Sequence, residues 1–241
     1  MHAEEAVRAT AEAVVDLPAR FMLDGATYEH GGGIGFDGVD FYFAGRGGAL
    51  GDVHGSVVAA ALVFFNPVSV LSSWDRSEPV LPRRRAAEAF VGCLVRWAGE
   101  HLADGLDYPR LAELAGRVAS GASPAAAPLF AAWRTVPEPE DPKALALHRL
   151  NLLRELRGAL HGAAVLAVGL EPLQAVMVHT PFMAGVFGWP EPHPDVDQCR
   201  PAWEEAESDT HRALARAYQV LDRAELAEFA ELATAAKAGA T

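Results

Sequence analysis

The chain has 241 residues with 20 Lys and Arg against 32 Asp and Glu, a formal net charge of -12. Its 51% apolar and 22% charged residues fit an ordinary globular protein and exclude a disordered one. A partner built of phosphates needs clustered Lys and Arg, so nucleic acid is not an expected partner.

Cys93 and Cys199 lie far apart without metal-type spacing; two free thiols in a reducing cytosol are expected. No basic start precedes an apolar segment, and no apolar run is long enough to cross a bilayer. The expected location is the cytoplasm, with no membrane partner.

Residues 3–23 place Ala6, Val7, Val14 and Leu17 on a helical period, and Pro18 is expected to end or kink that helix. Gly31 to Gly38 holds too much glycine for helix or strand and reads as a flexible connection. It lacks the Gly-Lys-Ser/Thr ending of a phosphate loop. Asp40 to Gly51 follows, where the triplet Phe41-Tyr42-Phe43 precedes Arg46 and more glycine. That composition predicts a short element packed closely through its backbone. It is either plain core or a pocket wall to which Tyr42 adds a hydroxyl.

Val57 to Phe65 reads as a buried helix stopped by Asn66-Pro67, with a short apolar piece at Val68 to Trp74. Arg83 to Leu102 is an amphipathic helix with Ala86, Ala89, Phe90, Cys93, Leu94 and Trp97 on one face. Arg83, Arg84 and Arg85 fall in its first turn, which the helix dipole disfavours, so a solvated end is expected. A helix at Tyr108 to Ala119 runs into the linker Ser120-Gly121-Ala122-Ser123-Pro124. A helical turn at Pro128 to Trp133 and a rigid proline loop at Val136 to Pro142 come next.

Asp141 as N-cap and Pro142 at the first position mark the start of the most distinctive helix, Asp141 to His161. Leu145, Leu152, Leu153, Leu156 and Leu160 share a broad apolar face. His148, Asn151 and Glu155 form a polar stripe beside it, and Arg154, Arg157 and His161 a second stripe on the other flank. Leu147 and Leu150 lie outside the apolar face, which predicts burial on more than one side.

The polar stripes of a buried helix either pair with neighbours or line a cavity, because unpaired buried charge is costly. His148 with Glu155 is a candidate acid/base pair, and Arg154 and Arg157 are candidates to hold a carboxylate or phosphate. On a surface helix the same residues would be solvated and worth a few tenths of a kcal/mol per Glu–Arg pair. No H-E-x-x-H or Cys-rich pattern links His148, Glu155, His161, His179 and His193, so no metal and no cofactor are expected.

Gly162 to His179 outlines a helix, a Gly-Leu turn and a second helix, a helix-turn-helix. The would-be recognition helix, Pro172 to His179, has no Arg or Lys and offers only Gln174 and His179 as polar readers. Gly188 to Asp195 is rigid and acidic, with no basic wing. Residues 203–238 predict one long amphipathic helix, or two broken near Asp222.

Three segments together resemble a known family. They are Phe41-Tyr42-Phe43-Ala44-Gly45-Arg46 through Leu50-Gly51, Phe64-Phe65-Asn66-Pro67, and His148-x-x-Asn151 through Arg154-Glu155-x-Arg157-Gly158 to His161. Over roughly residues 10–190 the chain is similar to actinobacterial helical proteins called SalK-like or EvbL-like, often encoded in natural-product clusters. The resemblance implies an all-α fold of two helical halves; the linker at Ser120 to Pro124 divides them into 1–122 and 123–241, expected to pack as one globule. The second half would contain a degenerate winged-helix-like unit. It implies no settled activity. The family's R-E-H-R-G-D-G-H pattern has a His and an Asp where this chain has Leu156 and Ala159, so chemistry resting on those groups would be changed or lost here.

Two functional expectations follow. The first is a small-molecule enzyme or binder of secondary metabolism with a pocket between the helical halves. His148 and Glu155 would be its catalytic pair, and Tyr42, Arg46, Asn151, Arg154, Arg157 and His161 would hold the substrate. The second is a ligand-responsive winged-helix-type transcriptional regulator, homodimeric through its terminal helices.

Overall fold

Asp141 accepts a hydrogen bond from the Ala144 amide at 2.9 Å and starts a 26-residue helix, Pro142–Ala167, around which the other elements are arranged. A computed structural model describes all residues from Met1 to Thr241. It contains twelve α-helices, two short 3-10 turns and no strand, so the all-α expectation holds.

In chain order the helices are α1 (Ala3–Leu23), α2 (Gly25–Ile34), α3 (Asp40–Gly47), α4 (Gly55–Ala61), α5 (Pro67–Ser77) and α6 (Arg83–His101). They continue with α7 (Tyr108–Gly121), α8 (Pro128–Trp133), α9 (Pro142–Ala167), α10 (Pro172–His179), α11 (Arg200–Tyr218) and α12 (Arg223–Ala238). Helix α9 packs against α1, α6, α7, α8, α10 and α11, while α1 also carries α11 and α12. One cluster of 55 buried residues runs from Ala6 to Ala236. Helices α11 and α12 spend their apolar faces inside this core, on Leu214, Tyr218, Phe229 and Ala233. Arg110 and Arg117 of α7 tie α12 down from outside through Glu228 and Glu225.

Burial of α9 on several sides explains its leucine pattern. Leu147 and Leu150 are as deep as Leu152, Leu153 and Leu156, whereas Leu145 and Leu160 are only half-buried. A central helix must be apolar nearly all round, so one-face periodicity is blurred.

Several sequence expectations are corrected. Helix α1 continues through Pro18 to Leu23. The ring removes one hydrogen bond, but Phe21 and Met22 beyond it are fully buried in the core, and their burial offsets a cost of about 3 kcal/mol. Gly31 to Ile34 is helical rather than loop. A Cβ on Gly31 would sit 2.6 Å from Phe41, so glycine there serves close packing. The helix ends at Gly35, with φ +116° and Phe36 N–H closing back onto Gly31 O at 3.0 Å, the Schellman pattern.

Helix α4 stops at Ala61, short of the expected Phe65, and Val57 on it is exposed. His54 caps its start by accepting from the Ser56 amide at 3.2 Å. Arg83 is buried rather than solvated. Its guanidinium stacks 3.7 Å from the Trp74 ring and donates to Ser77 Oγ at 2.6 Å and Trp74 O at 2.9 Å. Tertiary contacts there outweigh the helix dipole. The C-terminal residues form two helices, with Asp222 capping the second through the amides of Ala224 and Glu225.

Helix α3 is the element that fits most tightly. All eight of its residues are buried, and a Cβ on the following Gly48 would lie 2.2 Å from Arg83 O. Ala44, Gly45 and Gly47 let α3 sink between α5 and α6 until Arg46 reaches α9, while Asp40 at its start pairs with Arg76 of α5.

Candidate functional site

Arg46 and Glu155 meet in the interior as a bidentate pair. Arg46 Nε donates to Glu155 Oε1 at 2.8 Å and Nη2 to Oε2 at 2.9 Å. Its remaining Nη1 donates to Tyr42 Oη, one turn back on α3, at 2.6 Å. Arg154 Nη1 donates to Glu155 Oε1 at 3.3 Å. The Arg46 carbonyl accepts from Trp133 Nε1 of α8 at 3.0 Å, which fixes the backbone as well as the side chain.

Burial pushes the Glu155 carboxyl up, but Arg46 and Arg154 outweigh it and the net shift is downward. Burial opposes the Arg46 charge, and Glu155 reverses that effect. Arg154 is shifted down, first by burial and then by Arg46. Glu155 is therefore an ionised structural partner with both oxygens engaged. It is not a free base.

His148 and Asn151 continue the same stripe toward the start of α9. Both are 0% exposed, and neither imidazole nitrogen nor either amide atom has a hydrogen-bond partner. The His148 ring lies 6.0 Å from that of Trp133. Burial holds its pKa down at about 4, so the imidazole is neutral near pH 7. The expected His148–Glu155 pair does not form: Glu155 is taken by Arg46, and His148 has no partner.

Arg157 and His161 belong to a second cluster, on the opposite flank of α9 against α11. Arg157 Nη2 donates to both Glu207 oxygens at 2.8 Å. His161 Nδ1 lies 3.0 Å from Thr210 Oγ1, and because Thr210 donates to Ala206 O at 2.7 Å, Nδ1–H is the donor. His161 Nε2 is 3.4 Å and His211 Nε2 3.6 Å from Glu207. Burial holds the His161 pKa down at about 4. The eight expected site residues thus divide into Tyr42, Arg46, His148, Asn151, Arg154 and Glu155 on one side and Arg157 and His161 on the other.

Trp133, Glu207, Thr210 and His211 were not anticipated. The i, i+4 spacing of Glu207 and His211 was visible, but nothing local told that it faces α9. No group of three or more His, Cys, Asp or Glu side chains is arranged to hold a metal ion.

A cleft of about 40 Å³ opens beside the Arg46–Glu155 pair, walled by Leu62, Phe64, Phe65, Leu129 and Ala159. It has room for a few water-sized groups and falls well below the ~300 Å³ of a drug-sized ligand site. A larger open cleft of about 710 Å³ lies between the starts of α1 and α12 and the end of α11. It contains none of the expected site residues.

Helices α9 and α10 bend by 108° at the four-residue break between them, within the range of helix-turn-helix units. The turn is a second Schellman closure. Gly169 has φ +82°, and Leu170 N–H returns to Val165 O at 3.1 Å. A helix-turn-helix family profile matches residues 7–241. The chain belongs to this helix-turn-helix family. No curated protein and no solved structure matches it.

In this helix-turn-helix protein the second helix of the unit is occupied internally. Gln174 Oε1 accepts from the Glu171 amide at 2.9 Å, in a capping box. His179 stacks on Trp203 of α11, with ring centroids 4.8 Å apart. Arg200 Nη2 donates to Val178 O at 3.3 Å, at the helix's far end. No strand follows to form a wing. No single helix is long and apolar enough to cross a membrane.

Proposed function

We propose that this helix-turn-helix protein binds a small molecule, which contacts the Tyr42–Arg46–Arg154–Glu155 quartet and the His148–Asn151 stripe above it. The observation that carries this reading is the pair of fully buried side chains with no hydrogen-bond partner, His148 and Asn151. An unpaired buried polar group costs about 1–3 kcal/mol. Two of them one turn apart on the central helix are an unusual expense for a purely structural stripe. A ligand with matching donors and acceptors removes that cost. With a pKa of about 4, His148 acts near neutrality as a hydrogen-bonding group and not as a proton carrier. The resemblance to proteins of natural-product clusters supports a metabolite of secondary metabolism as the ligand.

Native mass spectrometry of the purified protein tests this directly. Wild type is expected to carry a small ligand from its host or to gain one from a metabolite extract. The His148→Leu/Asn151→Leu variant is expected to lose that mass with its far-UV spectrum unchanged. Retention by the variant refutes the assignment of these residues, and no bound mass on wild type ends the reading.

A second reading, a ligand-responsive regulator, is favoured by the family match and the 108° bend. Against it stand the engaged Gln174 and His179 and a recognition helix without Lys or Arg. A gel-shift titration on DNA from the gene's own neighbourhood decides the matter. A retarded band that weakens steeply with salt would establish the regulator; no band at low salt is expected.

A further inference from the structure

We propose that the group recognised at this site is a small monoanion, the carboxylate of an acid with a compact apolar tail, seated against Arg154 beside Tyr42. The inference rests on the small-molecule reading above and narrows it to one ligand chemistry.

Charge accounting carries the argument. The quartet encloses two guanidiniums and one carboxylate, and both Glu155 oxygens already serve Arg46. Arg154 keeps only the longer bond of 3.3 Å to an oxygen that Arg46 holds at 2.8 Å. Its Nε is buried without a partner. One positive charge therefore has no carboxylate of its own, on a side chain that is 18% exposed and so only partly reached by water, where a missing counter-ion still carries a cost. The second cluster is a built-in comparison in charge count: Arg157, whose Nε is likewise without a partner, meets Glu207 through two bonds of 2.8 Å, one guanidinium to one carboxylate, and no surplus arises. The downward push on the Arg154 guanidinium from burial and from Arg46 has the sign expected of a cation short of a counter-ion.

The monoanion follows from the size of that surplus. A carboxylate brings the site to neutrality, whereas a phosphate dianion would leave a buried negative charge in its place. A planar carboxylate also matches the guanidinium fork. The adjoining cleft of about 40 Å³ reaches the quartet through Arg46 and Glu155 and is walled by Leu62, Phe64, Phe65 and Leu129. That lining favours an apolar tail over a polar one and limits its bulk.

The test is a thermal-shift and calorimetric titration of the full chain with acetate, propionate and benzoate. Acetamide, propionamide and benzamide serve as neutral counterparts, at fixed ionic strength. At a hundredfold excess over Kd an acid is expected to raise Tm by about 5–10 °C, and its amide to leave Tm unchanged. Arg154→Gln is expected to weaken propionate binding at least tenfold without loss of helix content. Should that variant fail to fold, Ala159→Leu fills the cleft without touching a charge and should abolish the propionate response. An equal response to acids and amides, or an unchanged acid response in Arg154→Gln, overturns the anion assignment and leaves small-molecule binding standing. Silence toward the whole panel from protein that does carry a native ligand overturns the carboxylate alone. Silence together with no native ligand overturns both.

Discussion

Arg46 and Glu155, 109 residues apart in sequence, lock α3 to α9 through two parallel hydrogen bonds in the core. The pair holds the candidate site together and couples its chemistry to the stability of the fold.

Removing one partner leaves the other charged and buried. Glu155→Ala is expected to cost about 3–5 kcal/mol in urea denaturation, with two guanidiniums then facing each other. Arg46→Met/Glu155→Leu should recover a large part of that loss, because apolar groups of similar volume replace the whole pair. A Glu155→Ala cost below about 1 kcal/mol would mean that water reaches the site freely.

Asn151 offers the opposite sign. Neither its amide nitrogen nor its oxygen has a partner, so Asn151→Leu is expected to stabilise the ligand-free chain by about 1–2 kcal/mol. The same change should remove ligand binding. A large destabilisation in the denaturation midpoint would count against an unpaired amide at this position.

The buried histidines set a pH dependence. His148 and His161 have folded pKa values of about 4 against 6.5 for the unpaired group. Between these values the unfolded chain binds more protons than the folded one. Their contribution is therefore fully present above pH ~6.5 and is lost as the pH falls toward ~4. Each histidine accounts for about 3 kcal/mol over that window. Denaturation midpoints should fall steadily from pH 7 to 4.5, and His148→Phe should flatten the slope by roughly half. A midpoint independent of pH over this range would show that the rings are solvated.

Gly48 tests the depth at which α3 is set. A Cβ there would come within 2.2 Å of Arg83 O, so backbone must move. Gly48→Ala is expected to destabilise by about 1–3 kcal/mol and to loosen the Arg46–Glu155 pair, lowering ligand affinity as well. Wild-type stability in that variant would mean that α3 and α6 can separate at no cost.

Much of the helical framework was legible in residue patterns. Asp141-Pro142 announced the start of α9, and the spacing of Ala86, Phe90, Cys93, Leu94 and Trp97 announced α6. Capping and periodicity are local, and they act within a few residues of the chain. The glycines of α2 were misleading because their low helix propensity is a weak local term, overridden when Phe41 demands room beside Gly31.

What the sequence determined by itself was an all-helical chain with a polar stripe of His148, Asn151 and Glu155 on its central helix, a helix-turn-helix outline and an acidic balance. Only the tertiary structure decided which polar groups meet. It gave Glu155 to Arg46 instead of His148 and Arg157 to Glu207, and it left His148, Asn151 and the Nε atoms of Arg154 and Arg157 without partners. Ion pairs between residues 50 and 109 positions apart depend on how helices dock, and docking is set by the close-packed shape of the whole core. Helical period specifies the face on which a charge lies; the helix packed opposite decides whether that charge is answered.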